Sequence, residues 1–254
     1  MPKHRDPSFT VGIDLAAQPR HTAAVMVEWT HSGSRVARVH EGLDDAAVLA
    51  LAREERVAKV GIDAPFGWPQ PFAEALRVYA RTARWPAIDR RKVAFRSTDL
   101  YVREATGRWP LSVSTNFIAY VAIRCAALLT ELLDGDLDRT GAGLVVEVYP
   151  AAALRAWNLP AMRYKGQTEE SGIARRELVA EILRAADGAL LVSEDDRLLL
   201  ETSDHTLDAF VAALVARATQ AGEVRPIPPA LRGAAEIEGW IHLPSGLLAR
   251  LLAK

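Results

Sequence analysis

The sequence predicts an α/β fold in which helices lie on the faces of a mixed sheet. Two short buried runs share the letters VGID, at 11–14 and 60–63, and each ends at an acid before a loop. A Ser-Gly pair at 32–33 separates two β-prone runs, which is typical of a hairpin. Apolar residues recur at helical spacing from 117 to 133.

The N-terminal elements are predicted in the order β-β-β-α-β. An antiparallel meander is expected over 9–15, 22–31 and 34–41. Helical spacing with early acids covers 43–56, and a second buried strand covers 58–63.

The segment at about 65–116 is predicted to be a basic, proline-containing insert with a helix at 71–84. After the helix at 117–133, a third buried strand is expected at 144–149. Further helices are expected at 151–157, 169–187 and 204–220. A meander that feeds a βαβ-type crossover gives a mixed sheet. We expect one domain over residues 1–254.

Composition excludes several classes of protein. The 254 residues are 50% hydrophobic and 25% charged, as in globular proteins. A net charge of -1 excludes a globally basic nucleic-acid coat protein, and the single cysteine, Cys125, excludes a disulfide framework. Residues 1–6 do not resemble a secretory signal, and no apolar run approaches a membrane span. We therefore expect a cytoplasmic protein with no membrane partner.

Asp14 and Asp63 end the two VGID strands. If these strands are parallel neighbours about 4.8 Å apart, the two carboxylates lie close together. The glycine in each run leaves room for another group to approach. The alternative is a pair of turn-capping acids, but the duplicated run favours a shared site.

Asp204 and Asp208 lie four residues apart on the predicted helix at 204–220, in line with Val211 and Val215. An inward carboxylate is costly unless it is paired or bound to a cation. A first-turn acid is favoured by the helix dipole, which explains Asp204 without a site but does not explain Asp208.

Glu147 is a charged residue inside the run VVEVY. It is a candidate catalytic residue, and the alternative is a structural pair with a buried arginine such as Arg96 or Arg124. Clustered carboxylates repel one another unless some are protonated or a cation binds, so Asp208→Asn should be neutral or stabilising without metal. Ligands that are all oxygens favour Mg²⁺ or Mn²⁺.

The segment from 81 to 108 holds eight basic and three acidic residues, with aromatic residues among them. This combination suits a polyanionic partner such as a nucleic acid. Candidate substrate contacts are Arg91, Arg96, Arg108 and, in a YKG sequence, Lys165. The alternative is a solvated basic face with the aromatic residues in a local core.

Several motifs together resemble a known family. They are GIDLAAQP, VGIDAPFGWP, RSTD, GRWPLSVST, VVEVYPAAAL, YKG, SDHTLDAFVAAL and EGWIHLP, spread over 10–244. The family is catalogued as domain of unknown function 429, and its members are described as predicted nucleases of the RNase H-like fold. The resemblance implies a five-stranded sheet in the order 3-2-1-4-5, flanked by helices, with the insert between strands four and five.

The resemblance also implies a set of metal ligands. Asp14 matches the first-strand acid and Asp63 the fourth-strand acid, while Asp204 and Asp208 resemble the paired acids of Holliday-junction resolvases. Many relatives carry Glu where this chain has Asp63, which is shorter by one methylene. Glu147 is not a standard ligand of the superfamily.

These features predict a metal-dependent hydrolase that cleaves phosphodiester bonds of a nucleic acid. Two Mg²⁺ (or Mn²⁺) ions held by the four aspartates would activate water and stabilise the leaving oxygen, with His205 as a candidate for assisting the water. One alternative is an ATP-binding or phosphoryl-transfer protein of the related actin-like group, since VGIDLAA resembles its first phosphate-loop strand. Another is a non-catalytic nucleic-acid-binding module. DNA, RNA, branched structures and small nucleotides all stay open as substrates.

Overall fold

The computed structural model of the protein describes residues 8–252. The two ends of the predicted 1–254 domain lie outside this range, and so do residues 1–6, on which the expectation of no secretory signal depends. Within 8–252, no helix combines the length and the apolar character needed to cross a membrane.

A six-stranded mixed sheet forms the centre of the fold, in the order β5-β4-β1-β2-β3-β6. Strands β1, β2 and β3 pair antiparallel, whereas β4 lies parallel to β1, β5 parallel to β4, and β6 parallel to β3. The strands are β1 (Ser8–Asp14), β2 (Ala23–Thr30), β3 (Gly33–Glu41), β4 (Val57–Asp63), β5 (Val145–Glu147) and β6 (Leu190–Leu191).

The α/β class with a mixed sheet is confirmed, but the five-stranded order is wrong by one strand. The five expected strands keep their relative positions, and β6 is added beside β3 through the pairs Ser34↔Leu190 and Arg35↔Leu191. A strand of two residues is too short to show an alternating pattern, so sequence periodicity gives no signal for it.

Helices cover both faces of the sheet. One face carries α9 with α6, α7, α8 and α11, and the other carries α1 and α5. The helices are α1 (Asp45–Ala52), α2 (Gln70–Thr82), α3 (Arg90–Ala94), α4 (Ser97–Thr106), α5 (Ile118–Leu133), α6 (Pro150–Ala156), α7 (Glu169–Ala186), α8 (Glu194–Thr202), α9 (Asp204–Gln220), α10 (Arg232–Glu238) and α11 (Leu248–Leu252).

Helix α9 is buried on nearly all sides and packs directly on β1, β2 and β4. Its close approach depends on the two VGID glycines. A Cβ atom at Gly12 would lie 1.9 Å from the Ala209 carbonyl oxygen, and one at Gly61 would lie 2.4 Å from the Ala212 carbonyl oxygen. The glycines therefore admit the α9 backbone, as the sequence suggested, and α9 begins beside the carboxyl ends of both strands.

Candidate metal centre

Three carboxylates converge where β1 and β4 end. Asp14 and Asp63 are paired neighbours in the parallel register. Each lies two residues after a glycine that faces α9, Gly12 or Gly61, so both aspartates project to the face that α9 covers. Helix α9 contributes Asp208, which is 2% exposed. One ligand oxygen from each of the three residues lies within 4.8 Å of the others.

Two basic side chains contact this carboxylate group. The Lys165 Nζ atom lies 2.6 Å from Asp208 Oδ2, and His205 Nδ1 lies 2.6 Å from Asp14 Oδ2. The Tyr164 hydroxyl donates to Asp208 Oδ1 at 2.8 Å. Asp63 differs from Asp14 and Asp208, because no side chain within residues 8–252 forms a hydrogen bond or ion pair with its carboxylate.

The proton affinities follow from this arrangement. Burial, aided by the charges of Asp14 and Asp208, raises the pKa of Asp63 well above its ordinary value, although Lys165 opposes the shift. Burial raises the pKa of Asp208 to about 6 against the opposing charge of Lys165. The hydrogen bond to Asp14 raises the pKa of His205. Asp63 is thus the carboxylate that most needs a proton or a cation.

Opposing effects act on the Lys165 ammonium. Desolvation acts to lower its pKa, but the charges of Asp208 and Asp63 outweigh desolvation and raise it. Lys165 is therefore a stable positive charge at the edge of the carboxylate group.

Asp204 does not join the three carboxylates. Its Oδ2 atom accepts a hydrogen bond of 2.9 Å from the Gly166 backbone N–H. The buried Arg175 donates 2.8 Å hydrogen bonds to the carbonyl oxygens of Tyr164 and Gly166. Asp204, at the start of α9, thus holds the loop that presents Lys165, which corrects its expected placement among the ligands.

Glu147 and Arg96 form a buried ion pair. Arg96 donates from Nη2 to Glu147 Oε1 at 2.7 Å and from Nη1 to Oε2 at 2.9 Å. Asp99 accepts from the same guanidinium at 2.9 Å, and the Phe66 backbone N–H donates to Glu147 Oε2 at 3.0 Å. Arg124, the other arginine considered, pairs with Asp45.

This network corrects two expectations. Arg96 lines the pocket beside Asp63, but it is 1% exposed and its guanidinium donates to protein acceptors, so it offers a substrate no free donor. The same pairing accounts for the charge of Glu147 without a catalytic role, and Glu147 lies outside the group of three aspartates. A buried charge must be paired, and here the pairing is complete within the fold.

The other predicted substrate contacts differ in exposure and in distance from the carboxylate group. Arg91 is exposed, and its guanidinium carbon lies 5.4 Å from the Trp109 ring centroid. Arg108 is partly buried and donates to the Ala161 carbonyl oxygen. Lys165 reaches the carboxylate group itself, so of the four expected contacts it lies closest to the candidate chemistry.

A pocket of about 130 Å³ opens beside Asp63. The insert supplies one apolar wall, while Lys165 and Tyr149 supply polar groups. Six of its lining residues are Asp63, Pro65, Leu111, Ile118, Tyr149 and Lys165. The insert therefore borders the carboxylate group instead of forming a separate unit.

Sequence reasoning missed Tyr164 and Arg175. Tyr164 lies beside Lys165 in the YKG sequence, but its partner Asp208 is 44 residues away. Arg175 looks like an ordinary surface residue of an amphipathic helix, yet it is 4% exposed. Burial of an arginine and the identity of a distant partner have no local sequence signal.

The donor set fits a hard divalent cation. Asp14, Asp63 and Asp208 offer carboxylate oxygens, the ligand type that Mg²⁺ and Mn²⁺ prefer. Burial and the neighbouring acids raise the pKa of Asp63 at the same point, so its charged form is disfavoured there. A bound cation would favour the charged form.

The motifs agree with a comparison against known families. The family described as "Protein of unknown function (DUF429)" matches residues 12–231. The chain belongs to this family. The match includes the three aspartates, the Lys165 loop and all of α9, so the DUF429 region contains the whole candidate centre. Comparisons with curated proteins and with solved structures give no match.

Proposed function

We propose that this DUF429 protein is a metal-dependent nuclease with an RNase H-like arrangement of its catalytic acids. The observation that carries the proposal is the meeting of Asp14, Asp63 and Asp208 within 4.8 Å at the ends of two parallel strands. Such a group of oxygen ligands suits Mg²⁺ or Mn²⁺, and phosphodiester hydrolysis is a reaction that such ions promote.

A bound divalent cation would supply Lewis-acid chemistry, activating water and stabilising charge on phosphoryl oxygens. The chain's own groups have separate tasks. The Lys165 ammonium is placed to contact a phosphate that approaches Asp208. His205, held by Asp14, can take or return a proton at Nε2, the ring nitrogen not facing the carboxylate.

The insert supports a nucleic-acid substrate over a small phosphoester. It contributes the pocket wall at Pro110 and Leu111, and the guanidinium carbons of its Arg91 and Arg103 lie 5.4 Å and 5.5 Å from its Trp109 ring centroid. Cations combined with exposed aromatic rings are typical of surfaces that follow a nucleic-acid backbone.

A second candidate is a hydrolase that works without metal. The Lys165 ammonium already pairs with Asp208, and His205 contacts Asp14 through Nδ1. In that case the His205–Asp14 pair would act as general base, and Lys165 would stabilise the developing negative charge. Chelation separates the two candidates, because EDTA abolishes activity in the first and leaves it unchanged in the second.

The test is a cleavage screen with Asp14→Asn. Wild-type protein should cleave at least one of single-stranded, duplex, hybrid and junction substrates in Mg²⁺ or Mn²⁺. Asp14→Asn should lose at least about a hundredfold in rate, because one ligand and the His205 contact are both altered. Asp136→Asn, at an exposed loop position, is the matched control and should retain full activity.

Two results would contradict the proposal. One is full Mg²⁺-dependent activity in Asp14→Asn. The other is ATP binding in calorimetry without cleavage of any nucleic acid, which favours the actin-like alternative.

A further inference from the structure

A row of exposed apolar side chains begins at the residue before α5 and continues along the outer face of that helix. Phe117 is 87% exposed, Tyr120 64% and Ile123 60%. They lie three residues apart and therefore project in similar directions from the helix. The Phe117 and Tyr120 rings are stacked, with an interplanar angle of 18° and centroids 6.4 Å apart. A contiguous exposed apolar patch of this kind is typical of an interaction site.

Helix α5, which carries most of this row, lies near both strand ends. Ile118, next to Phe117, lines the same pocket as Asp63. One turn beyond Tyr120, Arg124 Nη1 donates to the Ala16 carbonyl oxygen at 2.6 Å, two residues after Asp14. Helix α5 therefore passes from the end of β4 towards the end of β1, with its aromatic side chains facing outward.

Positive charge lies on other sides of the same pocket. Lys165 is in the pocket wall. Trp109, adjacent to the pocket's Pro110 and Leu111, has the guanidinium carbons of Arg91 and Arg103 at 5.4 Å and 5.5 Å from its ring centroid. The Tyr149 hydroxyl, also in the pocket, donates to the Trp109 carbonyl oxygen at 3.3 Å.

We infer that the substrate is single-stranded nucleic acid, with unpaired bases stacking on Phe117 and Tyr120 while neighbouring phosphates contact Lys165, Arg91 and Arg103. This inference rests on the proposed function, because it assigns the substrate of the same carboxylate group. Aromatic rings at one edge of the pocket and cations at another match a partner that has both flat apolar faces and regular negative charge. A duplex lacks the first feature, because its base faces are covered by their neighbours.

The inference is tested by fluorescence anisotropy in EDTA, so that binding is measured without turnover. The probes are labelled 12-nucleotide oligo(dT) and oligo(rU) and a DNA duplex of equal length. Wild-type protein should bind at least one single strand more tightly than the duplex. Phe117→Leu/Tyr120→Leu should weaken single-strand binding by at least about fivefold, since each stacked base contributes roughly that factor or more.

The leucine variant keeps apolar area and removes the rings, so it separates stacking from general hydrophobic docking. Phe117→Trp/Tyr120→Trp should retain single-strand affinity. Leu191→Ala is the matched control, because Leu191 is 65% exposed on β6 at the far edge of the sheet. All variants should melt as wild type does, because the changed side chains are exposed.

Three outcomes would overturn the inference. In the first, the leucine variant binds single strands as tightly as wild type does. In the second, the duplex binds as tightly as either single strand. In the third, wild-type protein is a dimer, and the leucine variant is a monomer with unchanged oligonucleotide binding. Failure of the proposed function is distinguishable, because Asp14→Asn would then leave cleavage unchanged while these binding results stand independently.

Discussion

At the scale of single residues, the three aspartates of the centre are not equivalent. Asp14 contacts His205, and Asp208 contacts Lys165 and Tyr164. Asp63 instead has a pKa raised well above its ordinary value by burial and by its acidic neighbours. The sequence assigned mutual repulsion to Asp208, but its partners make Asp63 the better residue on which to measure that repulsion.

Asp63→Asn should therefore gain stability relative to wild type as the pH rises in EDTA. The folded-state pKa of Asp63 lies above its unfolded value of about 3.9, so the folded state binds the proton more tightly. The stability contributed by this proton is present below about pH 4 and is lost as the pH rises through the folded-state pKa. The amide does not titrate. Thermal melts from pH 4 to 8 should show the difference in melting temperature growing with pH.

Glu147→Gln is the variant with which Asp63→Asn is compared. It breaks the buried pair with Arg96, so it should lose about 3–5 kcal/mol of unfolding free energy, equally with and without metal. A loss of stability in Asp63→Asn that does not change with pH would show that Asp63 is an ordinary structural acid.

At the scale of elements, the docking of α9 on β1 and β4 sets the position of Asp208. Gly12 and Gly61 allow this contact, and the Thr10 hydroxyl donates to the Ala213 carbonyl oxygen at 3.0 Å. The start of α9 also fixes the Lys165 loop through Asp204. One helix thus places both a carboxylate and its counter-charge.

Gly12→Ala should consequently impair both stability and the carboxylate group. The added Cβ would lie 1.9 Å from the Ala209 carbonyl oxygen and 2.2 Å from the Ala213 nitrogen, so α9 must move. We expect a loss of about 1–3 kcal/mol or more in urea unfolding, together with weaker Mn²⁺ binding in calorimetry.

Gly233→Ala in α10 is the matched control. A Cβ there meets no described atom within 4 Å, and alanine favours helix, so this change should be neutral or stabilising. Wild-type stability in Gly12→Ala would mean that α9 does not lie as closely on β1 as the structure has it.

At the scale of the whole molecule, cation binding should be coupled to folding. A metal that binds only the folded state stabilises it by about 2.7 kcal/mol at a hundredfold excess over Kd. A chain of this size shifts by roughly 2–4 °C per kcal/mol, so Mg²⁺ or Mn²⁺ should raise the melting temperature by several degrees. Differential scanning calorimetry with and without EDTA measures this shift.

Asp14→Asn should lose most of that shift, and Asp136→Asn should keep it. Equal melting temperatures for wild type in EDTA and in saturating Mn²⁺ would favour the metal-free candidate, in which Lys165 supplies the positive charge.

Much of the fold could be predicted from the sequence, because local patterns of apolar and polar residues indicate its main strands and helices. Helix α9 has the bounds that the spacing indicated, and the two VGID runs are the neighbouring strands β1 and β4. The short strand β6 and the helices α3 and α4 of the insert were not individually predicted, because segments of two to ten residues with mixed composition carry little periodic signal.

The sequence by itself determined the strand ends that bring Asp14 and Asp63 together and the helix that carries Asp208, because burial periodicity fixes which way a side chain projects. Only the tertiary structure decided which charges meet. Arg96 and Glu147 are 51 residues apart and Tyr164 and Asp208 are 44 apart, so no local pattern links them. Charge pairing depends on distances of a few ångströms between atoms that the chain brings together only when it folds.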